Sequence, residues 1–168
     1  MTIDEILALI GSQAGMTQPM PGFPKWQMRH SVGPPSPPAE LEAASDSFAL
    51  PVDLAHLWAE AGTLRLFEEI RYGQWGLVLL SPLEAIRETM SMGEQRSEDM
   101  LPGDLVVGAF KAEEQRVVVR CDAQADDFGR VLIALPIDFR QDWPLVGEDL
   151  ADFLTQFISA GGDQYWPH

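Results

Sequence analysis

The chain has 168 residues, 46% of them hydrophobic, which indicates one globular domain and excludes a wholly disordered protein. Its 26 acidic and 11 basic residues give a formal net charge of −15 at pH 7. This charge repels nucleic acid and anionic membrane surfaces and attracts a basic protein partner. Plain solubility is an equally good explanation of the charge at this point.

The cysteine content and the N-terminal sequence both predict a cytoplasmic protein. The single cysteine, Cys121, excludes a disulfide within the chain and fits a reducing compartment. Asp4 and Glu5 stand where a secretory signal carries basic residues, and no apolar stretch long enough to span a membrane follows. We therefore expect no membrane partner.

The N-terminal part predicts a short helix followed by a proline-rich arm. A Thr-x-x-Glu capping box and apolar residues at helical spacing predict a helix within residues 1–11. Seven of the thirteen prolines fall within residues 15–38, which predicts an extended, partly ordered arm in place of helix or central strand. Phe23 and Trp26 indicate that this arm contacts the domain surface.

Residues 39–162 are predicted to form the core. Apolar spacing and capping signals favour helices between Pro51 and Gly62, between Ser81 and Gly93, and between Gly147 and Gly161. Strands are predicted at residues 63–67, 73–80, 104–110, 116–121 and 130–135. The prediction is an α+β fold, with a mixed, largely antiparallel sheet of about five strands and flanking helices, in a single domain over residues 1–168.

No set of residues in the sequence predicts catalysis. His30, His56 and His168 lack partners at the spacings of zinc ligands. Cys121 has no base placed beside it by the sequence, and Ser81 is explained as a helix cap because no Gly-x-Ser-x-Gly elbow surrounds it. We therefore expect no enzyme, no metal and no cofactor.

Acidic turns and loop tryptophans are the candidate partner-binding residues. The three carboxylates that follow Cys121 fit turn chemistry, an ion site or an acidic binding face, although the spacing of an EF-hand is absent. Trp26, Trp143 and Trp166 are expected in loops or the tail, where an exposed tryptophan anchors an interface, but the tail can equally fold back on the last helix. The predicted binding residues are Glu113, Glu114, Asp122, Asp126, Asp127 and Trp143.

Several segments carry features that occur in the same order in one known superfamily. They read Pro37-Pro38-Ala39-Glu40-Leu41-Glu42, Leu50-Pro51 to Gly62, Trp75-Gly76-Leu77 to Ser81, Gly103-Asp104-Leu105-Val106-Val107-Gly108, Asp127-Phe128-Gly129-Arg130-Val131 and Leu150-Ala151-Asp152-Phe153-Leu154. Over residues 37 to 162 the chain resembles the SUKH superfamily. It departs from the family in having Ala61-Gly62 in place of a frequent Asn-Gly pair and in its proline-rich arm.

The resemblance implies an α+β binding scaffold without a catalytic apparatus. Many bacterial members are immunity proteins that neutralise a cognate toxin, often a nuclease, and fungal members are interaction hubs in cell-wall regulation. By this resemblance the chain is expected to bind a basic toxin domain and neutralise it. The alternative is a non-catalytic adaptor or regulator, and the oligomeric state is left open.

Overall fold

In the computed structural model, which describes residues 1–167, eight strands follow one another in chain order and each neighbouring pair is antiparallel. The strands are β1 (Gln18–Met20), β2 (Phe23–Val32), β3 (Leu64–Glu69), β4 (Leu77–Leu79), β5 (Asp104–Phe110), β6 (Arg116–Arg120), β7 (Val131–Ala134) and β8 (Leu145–Gly147). The helices are α1 (Ile3–Gln13), α2 (Pro38–Ser47), α3 (Val52–Glu60), α4 (Pro82–Gln95) and α5 (Leu150–Ser159), with a short 3-10 helix at Arg140–Asp142. The α+β class and the antiparallel sheet are confirmed, but the sheet has eight strands where about five are predicted.

The proline-rich segment 15–38 supplies two of the three additional strands. β1 and β2 form a hairpin within it, and β2 pairs with β3. The prolines are compatible with this pairing because Pro19 lies on the edge strand and Pro24 near the start of β2, where a missing N–H costs little. The segment is therefore part of the sheet, where the sequence predicts a partly ordered arm. The third additional strand, β8, has three residues, which are too few to show the alternation of apolar and polar residues that predicts a strand.

Helices cover the two faces of the sheet unequally. Side chains of α1, α3 and α5 join alternate residues of the central strands in one large apolar cluster, and Ile3, Ile6 and Ile10 bring α1 into this core. A smaller cluster lies on the opposite face of β5, β6 and β7, where α4 contributes Met92. Within residues 1–167, no helix is long and apolar enough to cross a membrane.

The helix ends follow their local chemistry. Both predicted capping boxes are present, Thr2 with Glu5 at α1 and Ser81 with Glu84 at α4. However, α4 continues to Gln95, through the glycine predicted to end it, because the residues after that glycine favour helix. Helical spacing in the sequence predicts Leu83, Ile86 and Met90 on the buried face of this helix, but Met90 is exposed and Met92 is buried.

Candidate functional site

The five predicted acids do not form one surface. Glu113 and Glu114 lie in the turn between β5 and β6, whereas Asp122, Asp126 and Asp127 lie in the loop after β6. At about 3.3 Å per residue, the five residues of β6 hold the two groups roughly 17 Å apart. The strand predicted between them already implies this separation.

Two of the loop acids have local structural roles. An Asp122 carboxylate oxygen accepts the Gln124 N–H at 3.0 Å, which is turn chemistry, and Asp127 accepts from the Arg120 Nε at 3.0 Å. Asp126 is exposed and makes no ion pair within the described residues. No three His, Cys, Asp or Glu side chains among residues 1–167 are grouped as a metal site.

A buried ion-pair cluster is centred on Asp104. The carboxylate is fully buried and accepts from Arg120 Nη1 at 2.7 Å, from both Nη atoms of Arg140, and from the Leu101 N–H at 2.7 Å. Arg120 is itself only 4% exposed in its side chain. The cluster fastens the segment around Arg140 to the start of β5. The sequence offers no signal for it, because Asp104 after a glycine has the pattern of an ordinary strand start.

Trp143 is buried beside this cluster and is not an exposed anchor. It is 5% exposed, and its Nε1–H donates to the Asp138 carbonyl oxygen at 3.1 Å. The guanidinium carbons of Arg96 and Arg140 each lie 5.3 Å from the centre of a Trp143 ring. Trp166 is also buried, within the main core. Trp143 was expected as an exposed anchor because a loop position in the sequence carries no information about the arginines that cover it. For Trp166 the sequence left two alternatives open, and the structure has the tail folded back, with the Trp166 ring 6.2 Å from that of Phe153 in α5.

A groove runs between the C-terminal half of α4 and residues 136–141. Beside α4 it holds about 350 Å³, and a neighbouring hollow of about 450 Å³ shares Gln95, Arg96 and Pro136 with it. A third hollow of about 590 Å³ continues past Phe139. The Asp104 cluster and Trp143 hold the 136–141 wall in place, so the groove is preformed.

Acidic side chains dominate the free charge of the groove. Its arginines are engaged: Arg116 pairs with Glu88 at 2.6 Å and Arg96 with Asp99 at 2.8 Å. Glu98 and Glu114 also line it, and neither forms an ion pair within the part of the chain that the structure describes. Of the predicted binding residues, Glu114 is the one that this groove contains.

Two apolar side chains project beside Glu98. Ile137 is 90% exposed and Phe139 is 66% exposed, on the same wall of the groove. Large apolar side chains that are exposed next to each other indicate an interaction surface. Sequence reasoning missed both, although an Ile and a Phe within a short loop after a strand are a signal that could have found them. No histidine or cysteine lines the groove within residues 1–167.

Cys121 and His30, which lie outside the groove, are buried in structural positions. Burial raises the pKa of the Cys121 thiol to about 12, so the thiol is protonated and poorly reactive. His30 is buried on β2, and its Nδ1 accepts the N–H of Phe67 at 3.1 Å. Phe67 has a φ of 52°, a conformation that favours glycine, and this hydrogen bond holds it there. His168 lies outside the described residues.

Neutral His30 is expected to make stability depend on pH. Burial lowers the pKa of His30 below its ordinary value of 6.5, so the unfolded chain takes up this proton first as the pH falls. The contribution of neutral His30 is therefore fully present above about pH 6.5 and is lost as the pH falls through the lowered pKa. We expect the difference in unfolding free energy between the wild type and His30→Gln to shrink from about pH 8 to about pH 5, measured by urea unfolding.

His56→Gln is the matched control for this measurement. His56 is exposed, and its hydrogen bond to Asp4 raises the pKa of the imidazole, so the corresponding difference grows as the pH falls. A His30→Gln difference that stays constant over the same pH range would show that His30 does not titrate with folding.

The chain was compared with protein-family models and with curated proteins. No family model matches it, and no curated protein matches it.

Proposed function

We propose that this protein is an immunity-type protein of the cytoplasm that binds a basic toxin domain in the groove between α4 and residues 136–141 and thereby neutralises it. The observation that carries the proposal is a preformed groove in which Glu98 lies beside the projecting Ile137 and Phe139 and Glu114 lines the adjoining hollow, both acids without an ion pair within residues 1–167. The resemblance to the SUKH superfamily adds the toxin as the kind of partner. A nuclease domain is basic around its substrate groove, which suits an acidic binding surface.

Charge and shape have separate roles in this proposal. A net charge of −15 accelerates the encounter with a basic partner and suppresses binding to nucleic acid. Ile137 and Phe139 then supply the apolar contact that slows dissociation. Because Trp143 and Asp104 already hold the wall, little ordering free energy is lost on binding.

The test uses a candidate toxin domain, chosen where a gene next to this one encodes such a domain. We expect co-expression to protect cells from that toxin and the purified pair to bind, with the double variant Glu98→Lys/Glu114→Lys weakening the affinity by about 10- to 100-fold. Titration calorimetry at two salt concentrations measures the affinity. We also expect the double variant to associate with the toxin domain more slowly than the wild type does.

The double variant Glu42→Lys/Asp46→Lys is the matched control. Both residues are exposed on α2 and the net charge changes by the same amount, so a loss specific to the groove leaves this variant close to the wild type. Equal losses of affinity in both double variants would mean that the effect comes from the overall charge and not from the groove. Absence of both binding and protection would refute the toxin role for that pair and favour the non-catalytic adaptor.

A further inference from the structure

The acids of this chain are unevenly distributed. Residues 6–39 contain Lys25 and Arg29 and no acid, so all 26 acidic residues lie elsewhere. Of the eleven bases, seven take part in the ion pairs found within residues 1–167. The four without an ion pair in that part of the chain are Lys25, Arg29, Arg71 and Arg87. Three of these four belong to β2 or to the turn after β3.

The bases of β2 lie on an uncovered face of the sheet. Met28 and His30 are buried towards the main core, so Lys25, Gln27 and Arg29 alternate onto the opposite face. The apolar cluster under α4 contains no residue of β2 or β3, so α4 does not cover this part of the sheet. These side chains therefore face solvent.

Neighbouring elements extend the basic face. Arg65 of β3 is exposed and lies beside Glu68, which it contacts at 2.9 Å. Glu68 also pairs with Lys111, so the one acid among these residues is already engaged by two bases. The face formed by Lys25, Arg29, Arg65, Glu68 and Lys111 is therefore net positive on a strongly negative protein. We call it the basic face.

Aromatic side chains lie at the Phe23 end of β2, next to the basic face. Phe23 alternates onto the face of Lys25, whereas Trp26 alternates onto the opposite face and packs against the main apolar cluster. The rings of Phe23 and Trp26 stack at 5.5 Å, and Trp26 meets Tyr72 edge-on at 6.2 Å. Phe23 is 56% exposed and Tyr72 is 57% exposed. Lys25 lies between Phe23 and Trp26 in the chain, and Arg71 lies over the Tyr72 ring at 5.2 Å. We call Phe23, Trp26 and Tyr72 the aromatic tip.

The aromatic tip is held rigidly by a buried carboxylate. Glu69 is 1% exposed and accepts the backbone N–H groups of Arg71, Tyr72 and Gly73 at 2.6, 2.7 and 3.1 Å. This arrangement closes the turn and fixes the direction of Tyr72. A preordered aromatic surface loses little side-chain entropy on binding.

We propose that the basic face and the aromatic tip together form a second docking surface, which binds an acidic protein segment carrying apolar side chains. Charge complementarity selects this partner: the surface concentrates unpaired bases, and the rest of the molecule is negative. The exposed rings of Phe23 and Tyr72 take the apolar side chains of the segment. Binding occurs through side chains and not by strand addition, because Pro19 removes an N–H from the edge strand β1.

This surface shares no residue with the acidic groove and does not depend on the proposed function. The protein would then hold a basic partner in the groove and an acidic partner on the basic face at the same time. Overall charge does not predict such a site, since a net charge of −15 by itself repels an acidic ligand.

The probe is a synthetic peptide of glutamates with two phenylalanines, titrated into the full-length ¹⁵N-labelled protein. We expect amide shifts at residues 23–29 and 71–73 and weaker binding as salt is raised. The triple variant Lys25→Glu/Arg29→Glu/Arg71→Glu is expected to weaken binding at least about tenfold, because three exposed charge contacts become repulsive. The variant Phe23→Ser/Tyr72→Ser is expected to weaken it as well.

Matched controls separate this surface from general effects. Arg87→Glu changes the fourth unpaired base, and Val52→Ser changes an apolar residue that is 87% exposed on α3; neither is expected to alter binding. The proposal is overturned if the peptide causes no shifts at residues 23–29, or if the triple variant binds it like the wild type. Equal binding of a thymidine oligonucleotide at the same residues would assign the surface to nucleic acid. A dimer that sedimentation velocity detects and that the triple variant abolishes would assign the surface to a second copy of the chain. Either of these two results, nucleic-acid binding or dimerisation, also overturns the proposal.

Discussion

Replacing Asp104 with alanine is expected to lower the free energy of unfolding by about 3 kcal/mol, the low end for a broken buried ion pair, because the buried Arg120 guanidinium then keeps only Asp127 as a carboxylate partner. The Asp104 side chain is 0% exposed and that of Arg120 is 4% exposed, so water does not replace the lost carboxylate. The Leu101 N–H and the Arg140 guanidinium lose the same acceptor. Urea unfolding followed by far-UV circular dichroism measures the loss.

Asp126→Ala is the control for this change. Asp126 lies in the neighbouring loop and is exposed, so its removal is expected to alter stability by no more than about 0.5 kcal/mol. Asp104→Asn is expected to fall between the two, since an amide oxygen still accepts one hydrogen bond but carries no charge. A loss below about 1 kcal/mol for Asp104→Ala would mean that the desolvation cost of the carboxylate offsets its ion pairs.

Replacing Trp143 with alanine is expected to cost about 3–5 kcal/mol of stability and to loosen the wall of the groove. The indole fills the space between the Arg96 and Arg140 guanidinium groups, and its N–H holds the Asp138 carbonyl oxygen. Without the indole, no aromatic ring stacks between the two arginines that tie residues 136–141 to the loop after α4. Hydrogen exchange of the amides of residues 136–141 is expected to accelerate, and partner affinity to fall.

Trp143→Phe separates packing from the hydrogen bond. A phenyl ring keeps an aromatic face for the arginines but cannot donate to Asp138, so we expect a smaller loss than for alanine. The exposed pair Ile137 and Phe139 serves as a second comparison, because its replacement by serine is expected to weaken partner binding without lowering stability. Unchanged exchange in Trp143→Ala would show that the wall is held by the Asp104 cluster alone.

Local patterns predicted much of the fold. The strand predicted at residues 104–110 is β5, and both capping boxes begin helices because their hydrogen bonds form between residues three apart in sequence. The second half of the sheet was predictable for the same reason, since short turns join its strands. The proline-rich hairpin was not predictable, because a proline is tolerated in a strand only where its missing N–H is not needed, and that depends on which strand lies at the edge.

The candidate groove was predictable only in part. Glu114 was identified from its charge. The sequence does not show that an acid of α4 lies near Glu114, and it does not show that the acids at the two ends of β6 lie on different surfaces. Trp143 was expected at an interface because its loop position was visible and its two arginine neighbours were not. Arg140 precedes Trp143 by three residues, but Arg96 reaches it from a segment more than forty residues away, and the sequence does not show that both guanidinium groups lie against the ring.

By itself the sequence determined the excess of acids, the α+β class and the absence of any spaced metal or catalytic motif, since each depends on composition or on neighbours within a few residues. Only the tertiary structure decided which charges are free. Asp104, Asp127 and Glu68 are each matched to arginine or lysine from another element, while Glu98, Glu114, Lys25 and Arg29 form no ion pair within residues 1–167. A net charge of −15 therefore divides into an acidic groove and a separate basic face, because ion pairs form between residues that the chain brings together only on folding.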